Sequence, residues 1–239
     1  MPDYLEYTSD SDHNFKAALL KIPEAVHIFG RLDQHITAMI QHLGRLPELT
    51  ARDAFFFIGT FVLIFQRQSR NGFSLLCRRM SYDALLVLRP GIEAVIFAYR
   101  IFREPRLLEV WARRNDNFRE FSQQFRRAEI PGDMPHRDAI AREIDFLNDH
   151  WAHPSINYFA SSVAIADREI RVHFFDHNDQ QYFLVLLSFL DICIKSAEVF
   201  RRIWTDRFNV FVTSTDDEFR RLADDFGTLK ARWRERTGR

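Results

Sequence analysis

Glycine and proline are scarce, eight of each in 239 residues, which disfavours turn-rich all-β architectures. Cysteine is scarcer still. Cys77 and Cys193 form no C-x-x-C pair and no disulfide framework. Both fall in apolar helical patterns, as buried free thiols in a reducing compartment would, so a cytoplasmic location is expected. Long apolar runs are missing too. Phe55 to Phe65, broken only by Gly59 and Thr60, is about half of the roughly 20 residues a membrane span needs. It reads as a central buried helix, and no membrane partner is expected. No charged-apolar-small leader follows Met1, so no signal peptide is expected. Excess charge is absent, with 33 basic and 33 acidic side chains, and nothing in the total draws the protein to nucleic acid or anionic lipid. Glycine-rich phosphate loops, Gly-x-Ser-x-Gly elbows and His-Glu-x-x-His motifs are also lacking.

What is present is helical periodicity around bulky aromatics, with 24 phenylalanines. Residues 1–12 form an acidic arm (Asp3, Glu6, Asp10, Asp12), and residues 13–239 read as one domain. Phe29, Leu32, Ile36, Met39 and Leu43 mark a helix opened by Pro23. Thr50 can cap the apolar helix through Phe65. A helical pattern spans Phe73 to Arg103, with Pro90-Gly91 inside it. Leu107, Trp111, Arg114, Phe118, Phe121 and Phe125 form a heptad-like seam. Ile140, Ile144, Leu147 and Trp151 mark a shorter helix ending before Pro154. Residues 157–175 alternate with period two, a hairpin signal. Two further helices follow, the last opened by Thr215 and Glu218 as a capping box. The predicted fold is all-α: a single bundle of seven or eight helices with one β-hairpin insertion.

Two constellations bear on function. Arg78, Tyr82, Arg89, Glu93 and Arg100 are spaced to share one face of an apolar helix, with Arg89 and Glu93 paired at i,i+4. Pro90 predicts a kink or restart. The stripe is either a structural ion pair or the wall of a pocket. The second constellation surrounds His153: Glu143, His150 and His153 share a face and could ligate a metal. The chain offers no second ligand set, and Glu24 with His27 is a lone Glu-x-x-His, so neither metal nor cofactor is expected. The basic tail (Lys230, Arg232, Arg234, Arg236, Arg239) reads as a solvated helix end.

Leu88-Arg89-Pro90-Gly91-Ile92-Glu93-Ala94, then Glu104-Pro105 with Trp111, and finally His153-Pro154 resemble a bacterial helical-bundle family of undetermined activity. That family is distantly similar to the HEPN superfamily. The resemblance covers roughly residues 75–205. It implies a homodimer in a bacterial defence or toxin–antitoxin context. Many HEPN proteins are metal-independent ribonucleases whose active site is an Arg, four to six intervening residues, then a His. Here the positions before His153 hold Asp149, Asn148, Leu147 and Phe146, so Asn148 to His153 is a degenerate version. A ribonuclease would need a non-local arginine, Arg89, to stabilise the transition state, with His153 as acid or base. Two functions are therefore expected as alternatives. One is a non-catalytic module binding a protein partner or small ligand; the other is a ribonuclease using His153 and Arg89 on RNA.

Overall fold

The computed structural model describes residues 4–45, 53–126, 129–150, 163–166, 169–208 and 213–237. Its helices are α1 (Tyr4–Lys21), α2 (Pro23–Leu43), α3 (Ala54–Cys77), α4 (Ser81–Arg103), α5 (Leu107–Ala112), α6 (Phe118–Phe121), α7 (Arg137–His150), α8 (Asp179–Phe208) and α9 (Thr213–Thr237). A π-helical turn, Ser122–Arg126, extends α6. Within the span 157–175 expected to form a hairpin, the described residues include two four-residue strands, β1 (Val163–Ala166) and β2 (Glu169–Val172). They pair antiparallel with Val163 opposite Val172. Eight residues make no layer of their own, and the architecture is all-helical.

Helices α3 and α4 pack along their length and, with α2 and α8, enclose the core. Aromatic rings fill it. Phe29 stacks on Phe73 with centroids 4.1 Å apart, Phe65 meets Phe200 at 5.6 Å, and Phe55 meets Trp204 at 4.7 Å. Each such buried side chain contributes roughly 1.5–3 kcal/mol. Gly72 permits a close approach: a Cβ there would lie 2.7 Å from Phe189 Cε2 and 3.0 Å from the Ala84 carbonyl oxygen.

Several boundaries differ from the periodicity. The acidic arm is not separate, because α1 begins at Tyr4, and Asp12 pairs with Arg78 at 2.7 Å. Thr50 lies outside the described residues; Asp53 caps α3, its carboxylate accepting from the Phe55 amide at 2.7 Å. The helix does not stop near Phe65 but runs to Cys77. It ends there because Arg79 takes a left-handed φ of 62°, letting the Met80 amide reach the Leu75 carbonyl and the Arg79 amide the Leu76 carbonyl. Helix α4 runs unbroken through Pro90, which is exposed, so no restart occurs there. The seam from Leu107 to Phe125 is not one helix. A turn over Arg113–Asp116 divides it, and the Asn117 side chain then caps α6 by accepting from the Glu120 amide. Helix α9 starts at Thr213, so Thr215 lies within its first turn rather than before it.

Candidate functional site

A cleft of about 540 Å³ lies between α4, the π turn and α7. From α4 come Arg89, Glu93, Ile96 and Phe97; from the π turn, Phe125 and Arg126; from α7, Arg137, Ile144, Asp145 and Asn148. Its size falls within the range of small-molecule sites.

The π turn is held by a buried arginine. Arg100 is only 8% exposed. Its guanidinium donates to the Gln124 carbonyl at 2.8 Å and also to the Glu129 carbonyl. Burial lowers its pKa, and among the described residues no carboxylate is hydrogen-bonded to it; carbonyl dipoles and the field of Glu104 meet the charge. π turns are uncommon and cluster at functional positions because the extra residue re-aims side chains. Here the turn brings Phe125 against Phe97, centroids 5.0 Å apart, and sets the Arg126 guanidinium over Phe118 and Phe121 at 5.4 and 5.9 Å.

Arg89 and Glu93, one turn apart on α4, approach to 3.3 Å with side chains 34% and 39% exposed. That contact runs from the Arg89 Nε, which is inaccessible to solvent, to Glu93 Oε1, so the buried nitrogen's charge is met by the carboxylate although the geometry is not that of a hydrogen bond. On the facing wall Arg137 donates from Nε to the Ile130 carbonyl at 3.1 Å and reaches Asp138 at 3.3 Å. Those bonds tie the start of α7 to the preceding loop. Guanidiniums, carboxylates and the Asn148 amide thus share one opening with aromatic and aliphatic walls.

Only part of the predicted stripe meets here. Arg89, Glu93 and Asn148 line the cleft. Arg78 does not, because it caps α3 on the other side of the Arg79 break. It donates to the Ser11 hydroxyl at 2.8 Å and to Asp12, and lies over the Phe15 ring at 5.3 Å. Tyr82 is half-buried in the first turn of α4, away from the cleft lining. Arg100 supports the site from behind. His153 lies outside the described residues. Glu143 faces another cleft, and Glu24 is taken by Arg232. Among the described residues no three His, Cys, Asp or Glu side chains cluster as metal ligands. No helix among them is long and apolar enough to cross a membrane. Periodicity missed Arg126 and Arg137; a signal for the former lay in the Phe118, Phe121 and Phe125 spacing that carries it.

No family model, curated protein or solved structure matches the chain.

Proposed function

We propose that the protein is a non-catalytic binding module and that the cleft on Arg89, Glu93 and Asn148 receives a small ligand of mixed polarity. The observation that carries this reading is the convergence of Arg89, Glu93 and Asn148 with the Phe97 and Phe125 rings on one open cleft of about 540 Å³. Planar guanidiniums beside Phe97 and Phe125 suit a ring carrying an acidic group. A thermal-shift panel of nucleoside monophosphates, amino acids and aromatic carboxylates tests it. At least one probe should raise the melting temperature of the parent and leave Arg89→Met unmoved. A parent that no probe stabilises, or stabilisation equal in Arg89→Met, refutes the assignment.

One observation favours the second reading, a HEPN-like ribonuclease. Arg89 and Asn148 line the same cleft, and His153 follows Asn148 by five residues. We further infer a cytoplasmic homodimer. The two free, buried cysteines support the compartment. Phe56 and Leu63, both about half exposed and two turns apart on α3, supply an apolar strip for a second copy. Light scattering should then give twice the 28.4 kDa chain mass; a monomer at micromolar concentration removes the dimer.

A further inference from the structure

Not every charge lining the cleft between α4, the π turn and α7 is met within the protein. Arg89 has Glu93, and Arg137 has Asp138. Arg126, Glu129 and Asp145 line the same opening without such a partner. The Arg126 guanidinium lies over two rings and donates no N–H to a described residue. The carboxylates of Glu129 and Asp145 accept from no described residue and form no ion pair with one. Opposite charges that face each other across helices elsewhere do pair, Arg201 with Asp216 at 2.6 Å and Lys230 with Asp191 at 3.0 Å. Here the rings keep the cation on the π-turn wall, while Asp145 stays on α7.

The lining as a whole is neutral, Arg89, Arg126 and Arg137 standing against Glu93, Glu129 and Asp145. A ligand with a single charge therefore meets an unpartnered group of its own sign, whichever sign it carries. A ligand with both charges does not have that conflict, because its carboxylate can take Arg126 and its ammonium Asp145. A cation held by ring faces has spent none of its N–H donors, and the guanidinium has five to offer. Asn148, one turn beyond Asp145 on α7, supplies an amide oxygen as a further acceptor for an ammonium that carries three donors. The remaining wall, with Phe97, Phe125 and Ile144, suits a ring.

We propose that the cleft binds a zwitterion, an aromatic α-amino acid, with its carboxylate on Arg126 and its ammonium on Asp145 and Asn148. The inference rests on this cleft being the binding site proposed above, and it names the ligand class. Glu129, itself exposed, adds a second carboxylate against ligands that carry negative charge alone. The Arg89–Glu93 pair contributes no net charge and leaves that balance as it is.

Calorimetric titration of the full chain with L-phenylalanine, phenylpropionate and phenethylamine tests the proposal, since the last two each lack one of the amino acid's charges. L-phenylalanine should bind saturably, and each analogue at least about tenfold more weakly, because a hydrogen bond between charged groups is lost. Asp145→Asn should bring L-phenylalanine down to the level of phenylpropionate, and Arg126→Met down to that of phenethylamine. Arg113→Ala, which removes a surface charge from a pair with Glu109, should change nothing. Circular dichroism confirms that each variant is folded. No binding of L-phenylalanine, either analogue binding as tightly, or folded Arg126→Met and Asp145→Asn that bind it unchanged overturns the proposal. If another probe then stabilises the parent but not Arg89→Met, the binding cleft stands and the zwitterion alone falls; if none does, both fall.

Discussion

Replacing Arg100 with methionine probes the support of the candidate site. The guanidinium makes two hydrogen bonds to main-chain carbonyls, of Gln124 and Glu129. Hydrogen bonds from a charged donor contribute roughly 1.5–3 kcal/mol each, so their loss alone costs roughly 3–6 kcal/mol. Part is returned, because methionine does not require a charge to be taken from water, and because Gln124 and Glu129 are themselves exposed residues. The net destabilisation expected is about 3 kcal/mol. In a chain of this size that is a fall in melting temperature of roughly 6–12 °C. Urea melts followed by far-ultraviolet circular dichroism give the free energy, and hydrogen exchange locates it. Amides of 118–126 should lose protection before those of α3. A loss under about 1 kcal/mol, or protection lost uniformly, would show that Arg100 does not hold the π turn.

Gly72→Ala should destabilise by about 1–3 kcal/mol in urea melts, since Phe189 and the Ala84 carbonyl must move; an unchanged midpoint contradicts the close approach. The Arg89–Glu93 pair is a third exposed, so a double-mutant cycle of Arg89→Met and Glu93→Gln should give a coupling under about 1 kcal/mol, and 3 kcal/mol or more would require a buried pair. His35 is buried, and desolvation first, then the charge of Arg201, lowers its pKa to about 4. The unfolded imidazole binds its proton near 6.5, so its contribution is fully present above that pH and disappears as pH falls to about 4. The loss is on the order of 3 kcal/mol; the stability of His35→Phe relative to the parent should vary by that amount across the window, and a constant difference refutes it. Burial pushes the Cys77 thiol up to about 11 and the fully buried Cys193 thiol well above its ordinary value. Both should resist a thiol reagent in the native state and react after denaturation.

Helix existence was legible wherever one apolar face ran uninterrupted, as in α2 from Pro23 and α8 along Leu190, Ile194, Ala197 and Trp204. Breaks held by distant residues were not. Nothing at Arg78-Arg79-Met80 resembles a stop, for neither glycine nor proline is present. The left-handed Arg79 is held instead from nearly a hundred residues away. Its guanidinium donates to the Asp176 carbonyl at 2.7 Å and pairs with Asp179 at 2.6 Å, and the Asp176 carboxylate accepts from the Ser81 amide at 3.1 Å. That break removed Arg78 from the predicted stripe. The Arg89–Glu93 part was readable because it depends on one helical turn, and Asn148 joined it because α7 packs against α4. The π turn has no periodicity that distinguishes it from α-helix over five residues. Likewise, the tail's basic character suggested a solvated end, whereas Lys230 and Arg232 are committed to Asp191 and Glu24 across helices.

The claim that the cleft binds without catalysing is tested most directly by incubating a mixed-sequence RNA with the parent, Arg89→Met and His153→Ala, all purified in parallel, and measuring the RNA length distribution. The account predicts identical distributions for all three, indistinguishable from RNA alone. Cleavage by the parent that disappears in both folded variants would contradict it and make Arg89 and His153 the catalytic pair.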